Sequence, residues 1–435
     1  MDSSWESIAR SAQAQSTFSE IEERGPPARP LEFPPPVVHR GVRVQAALVI
    51  HPETGSRQVL RGVLHRESSS SEIGPEQVAY WPQKQLQEAI YGSVWACLVL
   101  RRHYGPASEE AAMRIGVEPN SASAPIVWEI TGEHVAIKMM LWSRIHRMRG
   151  RQLEDPVKEI AAMQLLGKKH PNVLWIIEVL QDDEYLYCVM PYCKGGDLFG
   201  VVIEYTENGD SEQGMPENVA RFWFKQILLG LAHLQANGIC HRDLSLENIL
   251  VDEDNCLIID MGMCLRVPYS YNNVNVNVNV AISQNANITN TNTNPFQTTD
   301  VQNGTCRRLI LPQGTCGKHN YMSPEIFRNA EPFDPFAIDL WAAAVILYIM
   351  ITGFPPYDQA SPTDQRFLQI VSGTLLQQLD AWEVAISPQA ADLLQKMLQL
   401  NPRNRLTLRQ VMLHPWVVCD DIMPPPPPTK HPWQR

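Results

Sequence analysis

The segment HRDLSLENILVDEDNCLIIDMG, from His241 to Gly262, decides the fold of this chain. Its apolar runs ILV and CLII are separated by DEDN, a cluster of turn-forming residues, and this order predicts a β-hairpin. A hairpin returns the chain to its starting point, so Asp260 is predicted to lie beside Asn248. A carboxylate and an amide oxygen placed together suit a hard cation such as Mg²⁺. The segment therefore predicts a metal-binding hairpin inside a folded domain.

The chain on the N-terminal side of this hairpin is mostly strand-like. The runs AIYGSVWACLVLRR, from Ala89, and WEITGEHVAIKMML, from Trp128, have strand character, and NVLWIIEVL with EYLYCVMPY predicts a short β pair. The polar segment 102–124 between the first two runs is predicted to be an inserted loop. One helix is predicted over Glu154 to Leu166, with Pro156 in its first turn.

Helices are predicted from Pro216 onward. PENVARFWFKQILLGLAHLQANG has a proline at its start, a glycine at its end and one apolar face, formed by Val219, Phe222, Ile227, Leu231 and Leu234. The run LWAAAVILYIMITGF, from Leu340, is shorter than the ~20 residues of a bilayer span and is predicted to be a buried core helix. Strands followed by helices predict an α+β fold with a small β-rich N-lobe (about 81–190), a larger helical C-lobe (about 194–418) and a cleft between them.

Three segments contain residues predicted to lie outside regular structure. Residues 1–80 form an N-terminal region whose first 40 residues, rich in Ser, Glu and Pro, are predicted to be disordered, and a β-hairpin is predicted around HPETGSR. The Asn-rich insert at about 272–303 is predicted to be a disordered loop, and its alternating NVNVNV leaves a strand as the alternative. Residues 419–435 form a proline-rich tail.

Composition excludes several functional classes. The net charge of −11 argues against a general nucleic-acid or polybasic membrane surface. The nine cysteines are scattered singly, which indicates reduced thiols. With no secretory signal recognised at the N-terminus, we expect a cytoplasmic protein without a membrane span, and the nucleus is the second compartment considered.

Several motifs occur in a family-specific order: VAIK (135–138), HRDLSLEN (241–248), DMG (260–262), SPE (323–325), and NPRNRLT, which contains Arg405. Together they resemble the catalytic domain of eukaryotic protein kinases over residues 81–418. RLTLRQVMLHPWV resembles the C-terminal helix of calcium/calmodulin-dependent and AMP-activated-type kinases. The resemblance implies a bilobal kinase fold and transfer of the ATP γ-phosphoryl group to Ser or Thr hydroxyls of proteins.

The resemblance also assigns catalytic roles. It makes Asp243 the base that accepts the substrate hydroxyl proton, and it makes Asn248 and Asp260 the ligands of Mg²⁺. Lys138 would contact the ATP phosphates and pair with Glu159. Glu325 would pair with Arg405, and Asp339 would anchor the catalytic loop. These last positions mainly stabilise the fold.

The nucleotide site is the part that departs most from the family. The phosphate-covering loop reads QEAIYGSV (87–94), so one glycine remains of three, and a looser nucleotide clamp is expected. Asp197 either reaches the ribose or caps the following helix. The resemblance assigns the following residues to nucleotide binding: Gly92, Val94, Ala136, Lys138, Met190, Pro191, Cys193, Asp197, Asn248 and Asp260.

Ser245 occupies the position where Ser/Thr kinases usually carry a catalytic-loop lysine. Loss of one such preorganised charge typically costs ~3 kcal/mol of transition-state stabilisation. The sequence GKHNYMSPE has Lys318 where the family usually has a threonine that lies against the catalytic aspartate and lysine. We therefore hypothesise that Lys318 supplies the missing charge, and an exposed loop lysine is the alternative.

Regulation and partners are predicted from isolated residues. Arg242 would bind a phosphate placed on Thr305 or Thr315 by an upstream activating kinase. PPPPPTKHPW is a candidate ligand for a polyproline-binding domain, or only a solvated tail. The rival function is a pseudokinase scaffold, which Ser245, Met261 in place of phenylalanine and the missing glycines favour.

Overall fold

The computed structural model describes residues 27–67, 77–114, 126–168, 170–208, 214–270, 297–300 and 305–424. These residues belong to two compact units. Of the described residues, those within 35–168 and 174–193 form the strand-rich unit, and those within 27–34, 170–173 and 194–424 form the helical unit. One unit rich in strands and one rich in helices confirm the predicted α+β class.

The strand-rich unit contains nine strands: β1 (His39–Val44), β2 (Ala47–Ile50), β3 (Arg57–Leu60), β4 (Val63–Arg66), β5 (Val78–Ala89), β6 (Gly92–Arg102), β7 (Val127–Leu141), β8 (Glu178–Gln181) and β9 (Tyr185–Pro191). They form one sheet in the order β3-β2-β7-β6-β5-β4-β1-β8-β9. An additional pairing of β7 with β9 closes the part of the sheet from β7 to β9 into a ring. Val135, Ile137, Tyr187 and Val189 from these two strands pack in its core.

The domain boundary predicted at residue 81 does not match the structure, because β1 to β4 belong to the same sheet as the later strands. β1 pairs with β4 and, in parallel, with β8, while β4 pairs with β5. They cover strand edges that would otherwise offer unpaired backbone groups. The hairpin predicted around HPETGSR is confirmed as β2 and β3, with Ile50 opposite Arg57.

Three helices complete this unit: α1 (Pro106–Arg114), α2 (Trp142–Met148) and α3 (Pro156–Leu166). α3 begins as predicted, because the Asp155 carboxylate accepts hydrogen bonds from the backbone N–H groups of Val157 and Lys158. α1 corrects the loop predicted over 102–124. Its sequence PASEEAAMR opens on proline and continues with good helix formers, which favour a helix despite its polarity. Residues 115–125 lie outside the described residues.

The helical unit contains nine helices among the residues that the structure describes: α4 (Leu198–Asn208), α5 (Glu217–Ala236), α6 (Pro324–Arg328), α7 (Pro335–Thr352), α8 (Gln365–Val371), α9 (Leu375–Ala381), α10 (Pro388–Met397), α11 (Leu408–Met412) and α12 (Pro415–Val418). Its short strands are β10 (Ile239–Cys240), β11 (Ile249–Asp252), β12 (Asn255–Ile258), β13 (Leu265–Arg266), β14 (Tyr269–Ser270), β15 (Gln297–Asp300) and β16 (Thr305–Arg308). They pair as β10-β13, β11-β12 and β14-β16-β15.

α7 is the core helix that the sequence predicts. Every one of its residues is buried, and the Asp334 carboxylate caps its first turn. Within the described part of the chain it is the one helix long and apolar enough to cross a bilayer, and that window is completely buried inside the protein. α5 buries most of its predicted face, but Phe222 is only half-buried, whereas Trp223 and Phe224 are fully buried. α5 packs against both β12 and α7, so its buried face is wider than one stripe.

Residues 27–34, which we term the N-terminal strap, pair with the helical unit. The Ala28 N–H donates to the Leu309 carbonyl (2.9 Å), the Leu311 N–H donates back to Ala28 (3.0 Å), and the Leu31 N–H donates to Arg266 (2.8 Å). Ala28 is buried in a cluster with Ile310. The disorder predicted for the first 40 residues is therefore wrong for Ala28 to Leu31 and for His39 and Arg40, where backbone pairing orders the chain, while residues 1–26 lie outside the described residues.

The predicted Asn-rich insert lies largely outside the described residues, which omit 271–296 and 301–304. Its remaining part, β15, is a strand paired with β16, from Gln297 opposite Arg308 to Asp300 opposite Thr305. In the proline-rich tail, residues 425–435 lie outside the described ranges, so the proposed polyproline ligand stays a prediction.

Candidate active site

The hairpin predicted from HRDLSLENILVDEDNCLIIDMG is confirmed. β11 and β12 pair antiparallel, from Ile249 opposite Ile258 to Asp252 opposite Asn255. The Ile259 N–H then donates to the Asn248 carbonyl (3.0 Å). Asn248 and Asp260 therefore emerge from the same end of the hairpin, as the spacing predicts.

Asn248 and Asp260 offer oxygen atoms of the kind that Mg²⁺ prefers. The Asn248 Nδ2 group donates to the carbonyl (2.7 Å) and to Oδ2 (3.1 Å) of Asp243, which leaves its Oδ1 as the ligand atom. Asp260 has a left-handed φ of 64°, and its Oδ1 accepts the Gly262 N–H (3.1 Å). The described residues contain no cluster of three His, Cys, Asp or Glu side chains suited to a metal. This donor set fits an ion that shares its coordination with phosphate oxygens and water.

Buried Asp339, on α7, holds the loop that carries Asp243. Its carboxylate accepts the backbone N–H of His241 (2.7 Å) and of Arg242 (2.9 Å), which confirms the predicted anchor. Arg242 adopts a left-handed φ of 69°, a strained conformation that such contacts must hold. The His241 ring accepts the Asp243 N–H (3.2 Å) and contacts the Ile259 carbonyl through Nε2 (2.8 Å). The loop and the hairpin are thereby fixed to each other.

Asp243 sits in an environment that raises the pKa of its carboxyl group. Burial raises the pKa of its carboxyl group, and the neighbouring charge of Asp260 raises that pKa further. The charges of His241 and Lys318, with the hydrogen bond from Asn248, lower the pKa and partly offset burial. The net upward shift is the direction expected for a general base.

Lys318 lies against Ser245. Its ammonium Nζ donates to Ser245 Oγ at 2.7 Å, and the Ser245 side chain is completely buried. Nζ also lies 3.7 Å from the Glu247 carboxylate, with the Lys318 side chain 39% exposed. The sequence analysis missed Glu247, although it stands two residues after Ser245 on the same loop. The structure thus brings together the two positions at which the chain departs from the family pattern.

The Arg242 guanidinium binds backbone carbonyls. Nη1 donates to Met263 (3.3 Å) and Nη2 to Gly314 (3.0 Å), while Nε is buried and has no hydrogen-bond partner among the described residues. Thr315, next to Gly314, is exposed. The other candidate, Thr305, begins β16. Phosphate binding by Arg242 stays a prediction.

Lys138 and Glu159 form an ion pair within the strand-rich unit. Lys138 Nζ lies 2.6 Å from Glu159 Oε2, and both side chains are nearly buried, at 11% and 7% exposure. β7 presents the lysine between Val94 of β6 and Cys188 of β9, and α3 presents the glutamate. This contact was expected from the VAIK motif.

The predicted phosphate-covering loop is a tight hairpin between β5 and β6. Ala89 pairs with Gly92, so only Ile90 and Tyr91 form the turn. Tyr91 is buried, and its hydroxyl donates to the Glu154 carbonyl (2.8 Å). A Cβ built on Gly92 would overlap the carbonyl of Met139 on the adjacent strand. Gly92 is therefore required by sheet packing, a role that the sequence analysis missed because the contact is made by a distant backbone atom.

The predicted adenine-contact residues cluster on β7 and β9. Ala136 pairs with Met190, and Val135 pairs with Pro191. Cys193 is buried just after β9. In the helical unit, Asp197 accepts the Gly200 N–H at 2.9 Å, which is the capping alternative. Nucleotide contacts of these residues stay predictions.

Glu325 and Arg405 form the predicted buried ion pair. Arg405 Nη2 donates to Glu325 Oε2 at 2.8 Å, and the arginine side chain is 1% exposed. The guanidinium also lies over the Trp341 ring, 4.8 Å from its centroid. The pair fixes the segment that follows Lys318 to the core of the helical unit.

Comparisons with known proteins show which family model and which relatives this chain matches. The family model described as the protein kinase domain matches residues 120–417. The match begins after QEAIYGSV, so it does not cover Gly92 or Val94. The chain is 30% identical to the serine/threonine-protein kinase kin-29 of Caenorhabditis elegans, over 68% of this chain and 29% of that protein.

Two other relatives are also named as kinases and have a similar identity to this chain. The maternal embryonic leucine zipper kinase of Xenopus laevis is 28% identical over 66% of this chain and 36% of its own length. CBL-interacting protein kinase 1 of Oryza sativa subsp. japonica is 29% identical over 67% of this chain and 51% of its own length. The chain thus spans between 29% and 51% of the length of these three relatives.

Proposed function

Because the chain belongs to the protein kinase domain family, we propose that it transfers the γ-phosphoryl group of Mg-ATP to serine or threonine hydroxyls of protein substrates. The name of the relative kin-29, a serine/threonine-protein kinase, supports the serine/threonine type. The observation that carries the proposal is the joint geometry of Asp243, Asn248 and Asp260 at one end of the β11–β12 hairpin.

The residues of this chain divide the chemistry between them. Asn248 Oδ1 and the Asp260 carboxylate would hold Mg²⁺, which supplies positive charge between the phosphate oxygens. Asp243 would orient the substrate hydroxyl and accept its proton, and its raised pKa suits that task. Lys138, paired with Glu159 at 2.6 Å, would position the phosphates of ATP. Each of these groups is intact and held by contacts within its own unit.

The experiment measures phosphate transfer from labelled Mg-ATP to a generic basic protein by the full chain. The Asp260→Asn variant removes the metal carboxylate and is expected to abolish transfer. Asp254→Asn is the matched control, because Asp254 is exposed in the turn of the same hairpin and should leave the rate unchanged. Hydrolysis of the product would yield phosphoserine or phosphothreonine. Equal incorporation by wild type and Asp260→Asn would instead favour the pseudokinase scaffold.

Regulation and location belong to the same proposal. An exposed Thr315 next to the Arg242 contact on Gly314 supports this threonine as the acceptor for an upstream activating kinase. Mass spectrometry of active protein that found Thr315 and Thr305 unmodified would remove this part. None of the eight cysteines whose side chains are described forms a disulfide. That observation supports the cytoplasm as the proposed compartment.

A further inference from the structure

We infer that Lys318 is a catalytic residue that neutralises the transferring phosphoryl group, with Ser245 acting as its docking acceptor in the catalytic loop. The inference rests on the proposed function and specifies how this site completes its charge. The segment from Gly317 to Glu325, which contains Lys318, is called the activation segment here. The structure supplies the contact, Nζ to Oγ at 2.7 Å, between this activation segment and the catalytic loop.

The position of the ammonium supports a catalytic role. Ser245 stands two residues after Asp243, at the position where the family carries its lysine, and the serine is completely buried. A lysine ammonium bound to its hydroxyl therefore places a positive charge beside the catalytic base. An ammonium has three N–H donors, and the bond to Ser245 uses one.

Glu247 is an acidic neighbour of Lys318. Its Oε2 atom lies 3.7 Å from Nζ. The separation is too long for a strong hydrogen bond, so Glu247 does not form a direct hydrogen-bonded pair with the Lys318 ammonium. Both side chains are about one-third exposed, so a purely structural pair of this kind would contribute little stability. A large loss of rate without a loss of stability is thus the signature of a catalytic Lys318.

The first test compares Lys318→Met with Lys318→Arg in the full chain. The neutral variant is expected to lose about 10²–10³-fold in kcat, with the KM for ATP and the unfolding midpoint nearly unchanged. The arginine variant keeps the charge and is expected to stay within about tenfold of wild type. Lys396→Met is the matched control, because Lys396 pairs with Asp392 on the exposed face of α10. A Lys318→Met enzyme as fast as wild type would overturn the inference.

The second test returns the lysine to position 245 of the catalytic loop. The double variant Ser245→Lys with Lys318→Thr recreates the family arrangement and is expected to recover most of the rate lost in Lys318→Thr alone. A folded double variant that stays as slow as Lys318→Thr would count against the inference. If the double variant does not fold, the comparison of Lys318→Met with Lys318→Arg tests the inference.

The two proposals fail in different ways. If wild type transfers phosphate and Lys318→Met does so equally well, the kinase function stands and the inference on Lys318 is wrong. If wild type is inactive and the double variant is active, Lys318 does not replace the missing lysine. If no variant transfers phosphate, the proposed function and the inference both fall.

Discussion

Substitution of Gly92 by alanine tests whether this glycine serves the sheet or the nucleotide. A Cβ at Gly92 would lie 2.9 Å from the Met139 carbonyl carbon and 3.1 Å from the Met140 Cα, and it would overlap the Met139 oxygen. These are backbone atoms of β7, so no side chain can rotate away. β6 and β7 must separate at the point where Gly92 pairs with Met140.

The magnitude follows from overpacking at a site that cannot relax locally. Inserting a methyl group into a well-packed region costs about 1–3 kcal/mol, and the rigid β7 backbone places Gly92→Ala at the upper end, about 2–3 kcal/mol. For a domain of this size each kcal/mol lowers the unfolding midpoint by about 2–4 °C, so a decrease of about 4–12 °C is expected. Lys138 lies two positions from the disturbed pair, so ATP binding should weaken at the same time.

Thermal unfolding and the KM for ATP are measured on Gly92→Ala and on Gly200→Ala. Gly200 is the matched control, because its added Cβ would lie 3.6 Å from Asp197 Oδ1, an ordinary contact, and alanine favours helix α4. Gly200→Ala is expected to be as stable as wild type or slightly more stable. A Gly92→Ala protein with an unchanged midpoint but weaker ATP binding would refute the packing explanation and assign the glycine to phosphate contact.

Three further predictions follow from the helical unit. Arg405→Met leaves the Glu325 carboxylate buried without its partner and should lower the free energy of unfolding by about 3–5 kcal/mol in a denaturant titration. Arg366→Met serves as the control, because it breaks an exposed ion pair and should change the free energy of unfolding by less than about 1 kcal/mol. A base must be deprotonated to act, so kcat should fall as the pH drops through the raised pKa of Asp243. In Lys318→Met the pKa of Asp243 should rise further, because the positive charge that lowers it is removed. The acid limb of the pH profile should then move to higher pH, and an unmoved limb would contradict the electrostatic coupling between Lys318 and Asp243. Removal of the N-terminal strap should accelerate amide hydrogen exchange on both sides of the Asn-rich insert, because both sides bond to the strap; unchanged exchange there would show that the strap does not order them.

The parts of the site that could be predicted from the sequence are those built by local chain geometry or by motif order. The β11–β12 hairpin follows from two apolar runs around a four-residue turn, and it carries Asn248 and Asp260 to one place. The contact between Lys318 and Ser245 spans 73 residues, yet two departures from one family pattern indicated it. Motif positions carry long-range information that periodicity alone does not.

The parts that could not be predicted depend on partners far away in the chain. β1 joins the sheet by pairing in parallel with β8, and the strap bonds to carbonyls of Arg266 and Leu309. Nothing in GPPARPLEFPPP specifies those acceptors, because backbone pairing of irregular segments carries little side-chain signal. The packing role of Gly92 could not be predicted for a similar reason: its close neighbour is a backbone carbonyl that no motif records.

The departures at Ser245 and Lys318 have one physical explanation. Asp243, Asn248 and Asp260 act through directed oxygen ligands and hydrogen bonds, so each must occupy one position in one orientation. A lysine ammonium acts mainly as a point charge that needs no fixed orientation. Its field at the reaction centre depends on where the charge lies and not on which part of the chain carries it. The lysine can therefore move from position 245 to Lys318 on the activation segment, whereas a metal ligand or the base cannot move in this way.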